Sequence, residues 1–105
     1  MITMEELKLF SDKTTIEING MTFRLTEEED MAGELAVWYS KKYRVLATPN
    51  FDDVPVPIEV LEINENGDYN IINAEGYYGE VNSFEQYAEI VKTLTKKILD
   101  SHKTQ

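Results

Sequence analysis

Residues 83–101 read Ser-Phe-Glu-Gln-Tyr-Ala-Glu-Ile-Val-Lys-Thr-Leu-Thr-Lys-Lys-Ile-Leu-Asp-Ser, and this is the only long segment with a complete helical pattern. Ser83 and Gln86 match a capping box, while Lys96 and Lys97 lie near the other end, where positive charge is favourable. The apolar residues recur every three or four positions and so share one side of the helix: Phe84, Tyr87, Ala88, Val91, Leu94 and Ile98. This apolar face must be buried against other parts of the chain, and the strand-like segments that precede it are the material available.

Two Asn-Gly pairs mark turns between strands in that preceding chain. Asn19-Gly20 suits a two-residue type I′ turn, which places Ile18 opposite Met21. Asn66-Gly67 suits a longer, bulged turn that places Ile63 opposite Tyr69. We therefore predict a single α+β domain over residues 1–105: an antiparallel meander of five to six strands packed on a C-terminal helix, with a short N-terminal helix and a frayed tail at 101–105.

The segment Thr26 to Thr48 is compatible with two structures. Its acidic start and later lysines suit a helix, whereas Gly33 and the cluster Val37-Trp38-Tyr39 favour strands. We predict a hairpin that pairs residues 35–39 with residues 43–47, preceded by a helical turn at residues 27–32.

The next segment alternates Val54, Val56, Ile58 and Val60 with prolines and a glutamate, which is the periodicity of a strand. Pro55 and Pro57 lack amide donors, so they predict an edge strand or an extended lead-in. The apolar parity changes after Val60, which predicts a bulge near that residue or burial of both faces.

Charge limits the classes of partner. The chain has ten basic and twenty acidic residues, for a net charge of -10, and no Lys or Arg occurs between Val45 and Val91. Such a field disfavours direct binding to nucleic acid or to anionic membranes. The chain has no cysteine, which suits a cytoplasmic location and excludes thiolate chemistry. We see no signal peptide and no apolar run of membrane-spanning length.

Motifs for catalysis or metal binding are incomplete. The only histidine, His102, is expected beyond the last helical turn, where it would be hard to preorganise as a catalytic base. Residues 62–67 resemble the start of an EF-hand loop, but the twelfth position is Asn73, where a bidentate Glu is required. We therefore predict a protein that is not an enzyme and that needs no metal or cofactor.

The acidic meander between Val54 and Glu80 is the candidate binding region. Side chains two apart on a strand share a face, so acids there could form a line of charge beside an exposed tyrosine. The expectation is an acidic module that occupies a basic surface of a protein partner, in physical character like an inhibitor or an immunity protein. Its candidate contact residues are Glu59, Glu62, Glu65, Asp68, Glu75, Tyr77, Tyr78 and Glu80.

Two alternatives belong to other classes of function. One is a homodimer, assembled through a sheet edge or through the tyrosine-bearing loop. The other is an enzyme that uses a pair of carboxylates, which would require one of them to be buried in a pocket. A large apolar surface patch would favour the homodimer, and a pocket lined by two or three carboxylates would favour the enzyme. The position of the acids tests the first reading, because one contiguous acidic face supports a binding surface and scatter over all sides supports mere solubility.

Overall fold

A computed structural model describes residues 1–103 and confirms the α+β class. Six antiparallel strands form one sheet in the order β1-β2-β3-β4-β5-β6, so each strand pairs with its neighbours in sequence. The elements are α1 (Met4–Lys8), β1 (Thr15–Ile18), β2 (Met21–Asp30), β3 (Gly33–Tyr39), β4 (Tyr43–Leu46), β5 (Val56–Ile63), β6 (Tyr69–Tyr77) and α2 (Phe84–Lys103).

Helix α2 covers one face of the sheet, here called the inner face, as the apolar stripe predicted. Tyr87 and Val91 are fully buried on this helix. The Tyr87 hydroxyl accepts a hydrogen bond from Nε1 of Trp38 at 3.1 Å and donates one to the carbonyl oxygen of Ala47 at 2.6 Å. The largest buried side chains belong to a single cluster: Trp38, Tyr87, Phe23, Ile2, Leu7, Ile18, Leu25, Ile58 and Leu99.

The two Asn-Gly turns are confirmed together with their registers. Ile18 pairs with Met21, and both Asn19 and Gly20 have positive φ values, as a type I′ turn requires. In the second turn Ile63 pairs with Tyr69, and Gly67 has φ +83°. The bulged turn therefore places the apolar side chains of both strands on one face.

The hairpin between β3 and β4 is also confirmed, but the helical turn predicted at residues 27–32 is wrong. Strand β2 continues to Asp30 and pairs with β3 from Arg24 to Asp30, with Glu27 opposite Ala36 and Glu29 opposite Glu34. Pairing supplies the backbone with cross-strand hydrogen bonds, and alternation points neighbouring carboxylates to opposite faces. The acidic run is therefore compatible with a strand.

Of the two outcomes predicted from the prolines, the edge position is wrong, whereas Pro55 does lie in the segment that leads into β5. Strand β5 lies between β4 and β6, and Pro57 pairs with Gly76 inside the sheet. The predicted bulge is present, since the register shifts between Val60 and Leu61. Its extra residue is Ile72 on β6, which packs against the core. The edges of the sheet are β1 and β6.

The predicted tail is partly helical. Helix α2 extends to Lys103, so Ser101 and His102 lie in its last turn and not beyond it. His102 Nε2 lies 3.7 Å from a carboxylate oxygen of Glu62, so the end of the helix lies beside β5. Thr104 and Gln105, also assigned to the tail, lie outside the described residues.

The face of the sheet opposite α2, here called the outer face, carries both apolar and charged side chains. Paired residues share a face, so the register defines two rows across the strands. The first row contains Arg24, Tyr39, Arg44, Leu61 and Ile71, and the second contains Thr26, Val37, Leu46, Glu59 and Ala74. No described helix packs on this face, and Ile71 remains 64% exposed there.

Candidate functional site

The candidate residues predicted from the sequence do not form one line. Glu59 lies on the outer face, whereas Glu62 and Glu75 belong to the inner side and reach Lys42 and Lys97 at 3.7 and 3.1 Å. The others lie on connections or at a strand end: Glu65 and Asp68 in the β5–β6 turn, Tyr77 at the end of β6, and Tyr78 and Glu80 after it. Odd spacings along β5 put its acids on different faces.

The topology instead brings a different set of acids together. In an antiparallel meander, alternate connections lie at the same end of the sheet. The β2–β3 turn, the loop at 47–55 and the segment at 78–83 therefore share one end, here called the loop end. The turns at 19–20, 40–42 and 64–68 lie at the opposite end of the sheet, here called the turn end. The C-terminus of α2 lies at this end too.

Eight exposed acids lie on the three connections of the loop end or on the strand residues next to them. Lys8 is a basic side chain at this end, and its Nζ donates a hydrogen bond to Oε2 of Glu34 at 2.9 Å. That hydrogen bond raises the pKa of the Lys8 ammonium above its ordinary value. The acids are Glu27, Glu28, Glu29, Asp30, Glu34, Asp52, Asp53 and Glu80.

Each connection at the loop end also exposes one large apolar side chain. Met31 is fully exposed in the β2–β3 turn, Phe51 is 44% exposed in the loop at 47–55, and Tyr78 is 74% exposed after β6. Each of them lies within two residues of an acid in the sequence. Aromatic and methionine side chains are enriched at protein interfaces, so these three exposed side chains are candidate contacts.

The Gly-Tyr-Tyr-Gly segment holds its two tyrosines in different places. Tyr77 packs against the core, whereas Tyr78 is exposed. A Cβ atom at Gly76 would lie 3.0 Å from the hydroxyl of Tyr78, and one at Gly79 would lie 2.6 Å from that of Tyr77. The two glycines make room for the rings, and Tyr78 is thereby positioned over Gly76.

The loop at 47–55 has an unusual backbone. Asn50, Asp52 and Asp53 have φ values of 61°, 53° and 63°, a region that side-chain-bearing residues seldom occupy. The Asn50 amide donates to the carbonyl of Pro55, and its side chain donates to the carbonyl of Ile2, each at 3.0 Å. This strained conformation keeps both aspartates exposed beside Phe51.

Two adjoining surface cavities connect the loop end to the outer face. The first, of about 280 Å³, includes Phe51 and Asp52 in its wall, together with Glu59 and Glu75. The second, of about 400 Å³, includes Glu75 and Tyr78. Three of the residues predicted from sequence, Glu59, Glu75 and Tyr78, therefore meet at these cavities, whereas Glu62, Glu65, Asp68, Tyr77 and Glu80 do not line them.

Residues 1–103 contain no group of three or more histidine, cysteine, aspartate or glutamate side chains with the geometry of a metal site. The incomplete calcium motif, residues 62–73, forms the end of β5, the β5–β6 turn and the start of β6. In the turn, Asn64 Oδ1 accepts hydrogen bonds from the backbone amides of Asn66 and Asp68. In the same part of the chain, no helix combines the length and hydropathy of a membrane span.

Sequence reasoning missed the acids at 27–30 and 34, because it selected the window without basic residues and not the spatial neighbours. The information was nevertheless present in the sequence. In an antiparallel meander, the β2–β3 turn and the β4–β5 loop lie at the same end of the sheet. That relation would have assigned Asp30 and Asp52 to one acidic surface. The helical turn predicted at 27–32 hid that relation.

Comparisons of the chain with protein-family models, with curated proteins and with solved structures found no match.

Proposed function

We propose that this chain is a non-catalytic binding module whose loop end docks on a basic surface of a protein partner. The observation that carries the proposal is the pairing of charge with anchors, since three neighbouring connections each combine exposed carboxylates with one exposed apolar side chain: Met31, Phe51 or Tyr78. Carboxylates attract and orient a basic partner, while apolar anchors supply the contact that slows dissociation. An inhibitor or immunity-type role would fit this chemistry.

The first step of the test identifies the partner and its dependence on the loop end. The wild-type chain and the Asp52→Asn, Asp53→Asn variant serve as baits in extracts of the native host, at low and at high salt. Asn is the matched substitution because it removes the charge and tolerates the left-handed backbone at both positions. We expect a basic protein that the variant captures less well than the wild type does.

The second step uses the purified pair. The double variant should lower the association rate about tenfold at low ionic strength and much less in high salt, because salt screens the steering field. Tyr78→Ala should raise the dissociation rate at every salt concentration. The control is Glu65→Gln, Asp68→Asn, which removes the same charge from the turn end. Equal effects of the two double variants, or an affinity indifferent to salt, would contradict the proposal.

A further inference from the structure

Arg44 is a half-buried cation without an acidic partner. Its guanidinium stacks on the ring of Tyr39, with 4.1 Å between the guanidinium carbon and the ring centroid, and lies 5.9 Å from the centroid of Tyr69. Nη1 donates to the carbonyl oxygens of Ser40 and Tyr43 at 2.7 and 3.0 Å, and these bonds fix the side chain. Nε is buried without a hydrogen bond, and no described carboxylate lies within ion-pair distance of Arg44.

Glu59 is the complementary case on the same face. It is half-buried on β5, between Leu46 on β4 and Ala74 on β6, and residues 1–103 provide it with neither a salt bridge nor a side-chain hydrogen bond. A partly buried charge with no counter-charge is costly, since its lost hydration is not replaced. The outer face therefore holds one half-buried base and one half-buried acid that form no salt bridge within residues 1–103, in addition to the exposed Arg24 of the same row.

The register fixes how these two charges lie relative to their apolar neighbours. Arg44 pairs with Leu61, and Leu46 pairs with Glu59, so the four residues form the corners of a parallelogram across β4 and β5. Its sides are about 4.8 Å across the strands and about 6.6 Å along them. The charges occupy one diagonal and the leucines occupy the other.

We infer that the outer face is a self-complementary interface on which a second copy of this chain packs. A two-fold axis along the leucine diagonal packs Leu46 against Leu46 of the second copy, and Leu61 against Leu61 of the second copy. The same axis brings Arg44 of each copy to Glu59 of the other, which makes two reciprocal ion pairs from one surface patch. The two sheets then cross in the orthogonal arrangement known for packed sheets.

The surroundings of the parallelogram suit such an interface. Tyr39 and Ile71 continue the row of Arg44 and Leu61 on either side. A surface cavity of about 260 Å³ lies among Tyr39, Arg44, Leu61 and Tyr69, and its wall also includes Glu28, whose carboxylate accepts a hydrogen bond from the Tyr39 hydroxyl. Aromatic residues and arginine are enriched at the centres of protein interfaces. The second copy would cover Ile71 and Tyr69, which are 64% and 53% exposed in the single chain. This inference does not depend on the proposed function of the loop end.

Charge exchange provides the first test. Sedimentation equilibrium at physiological ionic strength should find a monomer–dimer equilibrium for the wild type, and Arg44→Glu or Glu59→Arg should each raise its dissociation constant by roughly a hundredfold. The double variant Arg44→Glu, Glu59→Arg should restore dimerisation, because both reciprocal pairs form again with opposite polarity. Lys41→Glu and Glu65→Arg are exposed controls with the same charge changes and should leave dimerisation unchanged. Circular dichroism checks that each variant is folded.

Crosslinking provides a second test that a folding defect in the charge variants would not disturb. The chain has no cysteine, so Leu61→Cys introduces a single thiol on the inferred axis. Oxidation by copper–phenanthroline in air should convert this variant to a disulfide dimer, whereas Tyr78→Cys at the loop end should stay largely monomeric. A wild type that is monomeric up to millimolar concentration overturns the inference, as does a dimer that neither single charge variant weakens, or equal crosslinking of the two cysteine variants.

Discussion

At the scale of single residues, Tyr87 has the most consequential position. Its hydroxyl links helix α2 to both Trp38 and Ala47, and all three residues are buried. A buried hydrogen-bond network of this kind stabilises a particular arrangement of helix and sheet, because any other arrangement leaves polar groups unpaired. The indole nitrogen of Trp38 and the Ala47 carbonyl both depend on it.

Tyr87→Phe should therefore lower the free energy of unfolding by about 2 kcal/mol at neutral pH, since the indole N–H and the carbonyl lose their partner. Urea denaturation measures the difference. Tyr78→Phe removes an identical hydroxyl at an exposed position and should have no measurable effect. Equal losses in the two variants would show that the buried network contributes nothing specific.

The same variant has an effect at alkaline pH. Burial raises the pKa of Tyr87 far above its ordinary value of 10.0, so the unfolded chain releases this proton at a lower pH than the folded chain does. Above pH 10 the unfolded state therefore gains stability relative to the folded state, and the protein loses up to about 1.4 kcal/mol per pH unit from this group. Tyr87→Phe should show a shallower alkaline decline, although Tyr43, whose pKa burial also raises, remains. Urea denaturation from pH 8 to pH 11 compares the slopes, and identical slopes would exclude the effect.

At the scale of elements, helix α2 joins the sheet through a face that the sequence defined correctly. Val91 is fully buried at its centre, beside Tyr87 and Thr95, whereas Thr93 is exposed on the opposite side. The first turn is closed as the capping pattern predicted, because Ser83 Oγ accepts from the Gln86 amide at 3.1 Å. The Gln86 side chain in turn accepts from the amide of Asn82 at 3.0 Å.

Val91→Asp should lower the free energy of unfolding by about 3 kcal/mol or more, because it places a carboxylate in the core without a partner. Thr93→Asp introduces the same carboxylate on the exposed side of the same helix and should cost well under about 1 kcal/mol. Thermal melts followed by circular dichroism give both values. A melting temperature for Val91→Asp that matches the wild type would refute the assignment of this face.

The elements that could be predicted from sequence are those with local signals. The two Asn-Gly turns and the stripe of α2 depend on residues close together in the chain, and all three are confirmed, the turns together with their registers. The central position of β5 could not be predicted from Pro57. Proline removes one backbone hydrogen-bond donor, but this local property does not determine which strands lie on either side. The acids at 27–30 were misplaced for a similar reason, since only pairing with β3 makes that run a strand.

At the scale of the whole molecule, the distribution of charge differs between the two ends. The loop end concentrates exposed acids, and Lys8 is a basic side chain among them, whereas the turn end contains Lys41, Lys42 and Lys96 among its acids. Like charges held close together destabilise the folded state, and dissolved salt reduces this repulsion. The arrangement therefore carries a cost for stability, and a binding surface that meets positive charge would give a reason for retaining it.

Removing charge from the loop end should consequently stabilise the isolated chain. Asp52→Asn, Asp53→Asn should raise the free energy of unfolding by about 0.5 kcal/mol at 0.01 M salt, where the Debye length is about 30 Å, and the electrostatic part of this gain should vanish at 1 M salt, where it is about 3 Å. Any gain from the backbone preference of Asn would persist in high salt, so the difference between the two conditions isolates repulsion. Glu65→Gln, Asp68→Asn removes equal charge from the turn end and should gain less, because lysines lie there. Urea denaturation of the three proteins at both salt concentrations measures these values. An equal gain for both double variants, or a gain independent of salt, would mean that the acids of the loop end do not repel one another and that charge is not concentrated there in solution.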